Sequence, residues 1–136
     1  VFWGKARVMR FYAAGSRNVP GDGVALDILP LLADKFMGHE FIEYDPNEEL
    51  EGEEIFIIDA VKGIGDRVAV LGEGHIGMLE DFPKVSAHDF DLTFRLKLML
   101  MLGKVRRVVI IGIPYGMEKM KAFNEVSEVL EKIISS

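Results

Sequence analysis

Two acids and one histidine stand out in this chain because each lies in or beside a loop next to an apolar element. Asp22 sits in the turn-rich stretch Ser16–Gly23, just after an apolar and aromatic run. Asp59 follows four consecutive apolar residues, mostly β-branched, in Glu54–Ala60, and His88 precedes a helical stretch that leads to the last apolar run. Two carboxylates and a neutral imidazole from three separate loops can converge on one ion. An O,O,N donor set of that kind suits a borderline divalent metal such as nickel, zinc or iron better than calcium. Each residue also has a plainer role open to it. Asp22 can cap a helix N-terminus, Asp59 can accept hydrogen bonds from the Lys62–Gly65 turn, and His88 can be a capping or surface residue. His39 and His75 have no acid-rich pattern at ligand spacing, and the acidic run Glu48–Glu54 reads as a solvated loop.

Other chemistries lack their residues. With no cysteine there is no disulfide, thiolate metal site, iron–sulfur ligation or cysteine nucleophile. The glycine-rich loop after the first strand, Gly15-Ser16-Arg17-Asn18-Val19-Pro20-Gly21-Asp22-Gly23, does not contain G-x-G-x-x-G, and no G-K-[ST] phosphate loop occurs in the chain, so no nucleotide cofactor is expected at that strand. No G-x-S-x-G elbow offers a serine nucleophile.

The elements that must position these residues follow from hydrophobic periodicity. Ala6–Gly15 reads as a central strand. Asp22 to about Met37 reads as a heavily buried helix, with Leu26, Leu29, Ala33 and Phe36 on one face, and Val24, Ile28, Leu31 and Leu32 widening it. Pro30 should bend or break that helix. Glu40–Tyr44, Glu54–Ala60, Arg67–Leu71 and Arg107–Ile113 read as strands, the last ended by Pro114. Gly72–Lys84 shows no firm pattern. Asp89–Leu102 is helical with Phe90, Phe94, Leu98 and Met101 on one stripe, and Glu118–Ile134 is amphipathic with Ala122, Phe123, Val126, Val129, Leu130 and Ile133 inward. Buried strands alternating with helices imply βαβ units. The expected fold is α/β: a single three-layer domain over residues 1–136, with a twisted, mostly parallel sheet of about five strands flanked by helices on both faces. In open sheets of this kind, sites form beyond the carboxyl ends of the strands. Asp22, Asp59 and His88 all fall there.

Composition agrees with one ordered domain. The 136 residues are 49% hydrophobic, too apolar for intrinsic disorder, and too few for two comfortable cores. A net charge of −6 argues against nucleic acid and anionic membranes as partners. No apolar run reaches the ~20 residues of a spanning helix, and the first residues do not read as a secretory signal, so a cytoplasmic protein is expected. Oligomeric state leaves no signal.

In order and spacing, these residues resemble the [NiFe]-hydrogenase maturation endopeptidases. That family's first loop, G-N-x-L-x-x-D-[DE]-G-[VIA]-[GA], is matched without gaps by Gly15 through Ala25, with Asp22 on the acidic metal ligand. Its strand ending in Asp-Ala matches Ile57-Ile58-Asp59-Ala60. Its Ser-x-His element matches Ser86-Ala87-His88-Asp89, and its last strand with Gly-Ile-Pro matches Val108 through Pro114. The first loop departs from the pattern at Ser16 for Asn, Asn18 for Leu and Gly21 for the first acid of the pair. The resemblance implies a peptidase that removes the C-terminal extension of a hydrogenase large-subunit precursor after nickel insertion. Asp22, Asp59 and His88 would be both catalytic and nickel-binding, with nickel carried in by the precursor; Asp89 is the nearest candidate to orient His88. Nickel could polarise the scissile carbonyl or activate water, or Asp22 or Asp59 could be the general base. The alternative is a non-catalytic or divergent homologue acting on another nickel-protein precursor. A phosphoacceptor receiver domain also carries an acid at the end of its third strand. It needs an acidic pair after the first strand and a lysine ending the last, where this chain has Gly15-Ser16 and Pro114.

Overall fold

Two runs too apolar to leave either face in water form the centre of the sheet. Glu54–Val61 (β3) and Arg107–Pro114 (β5) pair in parallel from Glu54–Arg107 to Val61–Pro114, and seven of the eight residues in each are buried. Parallel strands covered on both faces carry such continuous Val/Ile runs. The computed structural model describes residues 7–74 and 90–136. In chain order these form β1 (Arg10–Ala13), α1 (Val24–Lys35), β2 (Glu40–Glu43), β3, β4 (Ala69–Gly74), α2 (Phe90–Met101), β5 and α3 (Lys119–Ser135). The sheet order is β2-β1-β3-β5-β4, with β1–β2, β1–β3 and β3–β5 parallel.

Side-chain alternation divides the core in two. Phe11, Phe56, Ile58, Ile111 and Ile113 pack beneath α1 and α3, while Ile55, Ile57, Val108 and Ile110 pack beneath Leu92, Leu96 and Leu100 of α2. The layers are therefore helix, sheet, helix, as the α/β pattern predicts.

Four details differ from the sequence expectation. The first strand is shorter than the apolar run that announces it, ending at Ala13. The fourth begins two residues later and runs antiparallel to β5 at the sheet edge, with an irregularity between Val70 and Gly72. Val68, just before it, donates its N–H to Glu125 Oε1 of α3 at 2.8 Å, which draws Arg67 and Val68 out of the strand. Pro30 lies inside α1 without ending it. The ring is exposed, and the burial of Ile28 and Leu32 on either side holds the helix across the one hydrogen bond that proline removes. In α2 the stripe Phe94, Leu98 and Met101 is 60%, 42% and 62% exposed, and the buried stripe is Leu92, Leu96 and Leu100. This helix is apolar on two sides, so periodicity alone could not say which faced the sheet.

α3 begins on Glu118, whose carboxylate accepts from the N–H groups of Met120 (3.0 Å) and Lys121 (2.9 Å). These bonds hold the Glu118 carboxyl below the usual glutamate range. A depressed folded-state value means that this stabilisation is present above the unfolded pKa and is lost as pH falls through the folded one. Glu118→Gln should accordingly melt below the wild type at neutral pH, and the two melting curves should converge under acid conditions. The two sides of α2 give a second check by urea unfolding. Leu96→Ala should cost about 2–5 kcal/mol through the cavity it leaves, whereas Phe94→Ala should stay within about 0.5 kcal/mol.

Candidate functional site

The carboxyl edge of β1 and β3 is where the two acids meet the backbone. Ala13 pairs with Ile58, and the next residue, Ala14, donates its N–H to Ile58 O at 2.9 Å. The loop that leaves β1 therefore starts beside Asp59. Gly15 has φ +146, and a Cβ there would overlap the Asp22 carbonyl oxygen. Only glycine lets the loop return so closely on its own start. Asp22 then closes the turn. Its Oδ2 accepts from Ser16 N–H at 2.8 Å and its own N–H donates to Val19 O at 3.0 Å. Ser16, at a departure from the family pattern, contributes as well, since its Oγ accepts from Asn18 N–H at 3.3 Å.

Gly23 is the N-cap of α1, so Asp22 is not the helix cap that composition alone would suggest. The Asp22 carboxylate points back to the end of β1. Asp59 occupies the third position from the end of β3, on the same face as Ile57 and Val61, and its Oδ1 accepts from Ala60 N–H at 2.8 Å. Both acids are 0% exposed. Removing a carboxylate from water is costly without compensating donors. Here backbone N–H groups at the strand ends supply part of that compensation.

The third predicted residue, His88, lies outside the described residues, as do Asp89, His75 and Ser86. α2 is followed by a short connection in which Arg106 N–H bonds Glu53 O at the amino edge of β3, at 2.6 Å. Twelve helical residues rise about 18 Å back across the sheet. The helix consequently starts, at Phe90, toward the carboxyl edge that holds Asp22 and Asp59. Among the described residues, no three histidine or acidic side chains gather at metal-ligand spacing.

Sequence reasoning missed Tyr115. It follows β5 directly, and its N–H bonds Val61 O at 3.0 Å. Its hydroxyl donates to Pro20 O in the first loop, and the Lys62 ammonium lies 4.7 Å from its ring centroid. The available signal was an aromatic residue between Pro114 and Gly116 at the carboxyl edge. Arg17 anchors the other side of the loop through Glu43 at the end of β2 (2.5 Å).

No protein-family model matches this sequence, and neither does any curated protein sequence. Solved structures do resemble it. The [NiFe] hydrogenase maturation protease HybD from Thermococcus kodakarensis aligns with a TM-score of 0.65 and 24% identity, over 94% of this chain and 99% of that one. The hydrogenase maturating endopeptidase HybD from E. coli aligns with a TM-score of 0.62 and 13% identity, over 93% and 94%. A hydrogenase 2 maturation peptidase from a Thaumarchaeota archaeon gives 0.58 and 17%, over 93% and 98%. This chain has the fold of the hydrogenase maturation proteases, across nearly its whole length.

Proposed function

We propose that this chain is a maturation endopeptidase that removes the C-terminal extension from the precursor of a [NiFe]-hydrogenase large subunit once nickel has been inserted. The observation that carries the reading is the pair of fully buried carboxylates, Asp22 and Asp59, at the carboxyl ends of two adjacent strands in a fold shared with proteases of that name. A fold alone does not set function. The motif order of the sequence, with Asp22, Asp59 and His88 at the matching positions, supplies the site-level argument.

Nickel enters as part of the substrate. Carboxylates and a neutral imidazole suit an ion whose other ligands the precursor supplies, so Asp22, Asp59 and His88 complete its coordination and thereby recognise a loaded precursor. Peptide hydrolysis then needs a water aimed at the scissile carbonyl and a proton acceptor within hydrogen-bond reach of it. Either carboxylate has the chemistry for that acceptor. The proton taken from the water goes finally to the departing amine, leaving a new carboxylate on the mature subunit. The backbone bonds to Asp22 Oδ2 and Asp59 Oδ1 hold both groups in place before substrate arrives, which lowers the reorganisation cost of the reaction.

A second reading, a divergent homologue acting on another nickel-protein precursor or not cleaving at all, is favoured by the first loop, where Gly21 replaces an acid of the family pattern. One assay separates the two. Incubation of the chain with nickel-loaded large-subunit precursor should yield two products by mass, the mature subunit and its extension, whereas nickel-free precursor should stay intact. Asp59→Asn and His88→Ala should each reduce cleavage at least about a hundredfold, since each removes a group that binds or reacts. Asp59→Asn preserves shape, and its melting temperature should stay close to that of the wild type. Normal cleavage by both variants would overturn the assignment of these residues.

A further inference from the structure

The first loop carries Asp22, and its far side is held by a residue from another element. Gly21 has φ +82, and a Cβ added there would lie 2.8 Å from Cε1 and 3.1 Å from Cζ of Tyr115. The Tyr115 ring is thus seated directly on the Gly21 backbone, one residue before Asp22. Its hydroxyl bonds the Pro20 carbonyl, its own N–H is tied to Val61 at the end of β3, and Lys62 covers the ring. Tyr115 therefore joins the ends of β3 and β5 to the loop that follows β1. Residue types agree with this geometry. Any side chain at position 21 would have to displace the ring, which accounts for glycine where the family pattern has an acid.

We infer that Tyr115 is a positioning residue for Asp22. It clamps Pro20 and Gly21, fixes the turn in which Asp22 bonds Ser16 N–H, and so sets where the Asp22 carboxylate stands at the sheet edge. Among the described residues the loop is also tied through the exposed Arg17–Glu43 ion pair, of a class that contributes little. The effect on reaction rests on the proposed protease activity. The effect on the loop does not.

The Ser16 N–H reports the Asp22 carboxylate directly, because that bond is its partner. Residue-resolved amide exchange on the free protein should show Ser16 and Asp22 exchanging at least about tenfold faster in Tyr115→Ala, with Tyr115→Phe between it and wild type and the amides of β3 and β5 unchanged. In precursor cleavage, Tyr115→Phe, which keeps the ring on Gly21, should lower kcat about tenfold with KM within twofold. A displaced carboxylate impairs the reacting geometry more than it impairs binding. Unchanged exchange at Ser16 in Tyr115→Ala overturns the inference, as does a Tyr115→Phe enzyme with normal kcat. Should the wild type cleave no loaded precursor while Tyr115→Ala still frees Ser16, the loop anchor stands and the protease reading falls.

Discussion

The pairing of β1 with β3 governs the site. Because Ala13 stands opposite Ile58 and Ala14 bonds Ile58 O, the chain leaves β1 beside Asp59. A one-residue slip in that register would turn Asp59 toward α1 and α3 and remove it from the α2 face. Everything after Ala14 answers to this placement. Gly15 permits the sharp return, Asp22 closes it through Ser16, and α1 starts at once from Gly23 to cover the sheet. The apolar character of β3 and β5 is what makes the register unambiguous. Their side chains fill two dry layers, and either layer would lose its packing if the pairing shifted.

Two buried carboxylates are an unusual thing for a small domain to keep. Apolar substitutes of similar size would generally fit such positions without a desolvation penalty. Strand ends relieve the difficulty, since the sheet leaves backbone N–H groups there that can turn to a side chain, as those of Ser16 and Ala60 do. The carboxylates are thereby both sheltered and fixed in direction. A divalent ion, or a water to be deprotonated, needs that condition. The opposite edge of the sheet has different chemistry. There Arg7, Arg106 and Arg107 gather on Glu54, Arg106 also reaches Glu53, and Arg10 bonds Glu40 and Glu51, so four arginines face four glutamates.

Much of this architecture is legible in the residues themselves. β3 and β5 show in their Val/Ile runs, and α3 in an apolar stripe that the structure buries at Ala122, Val126 and Leu130. Asp22 and Asp59 stand out because an acid after an apolar run in an α/β pattern falls at the carboxyl edge. What stayed hidden has physical causes. α2 is apolar on two sides, so its inward face was decided by the sheet, and Phe94 lost to Leu96. β4 extends through glycines that carry no periodicity, and its direction depends on an edge left open by β5. The role of Tyr115 depends on a contact across 94 positions, with Gly21, that no local pattern encodes. His88 is identified by its motif alone, since it lies outside the described residues.

The central claim is that the acids at this edge complete the coordination of nickel held by a precursor. X-ray absorption at the nickel edge tests it most directly. The spectrum of loaded precursor should change on addition of the chain, gaining oxygen and nitrogen neighbours at about 2.0–2.2 Å. The gain should be smaller with Asp59→Asn. A nickel spectrum that is identical with and without the chain, under conditions where the two proteins demonstrably bind each other, would contradict the account.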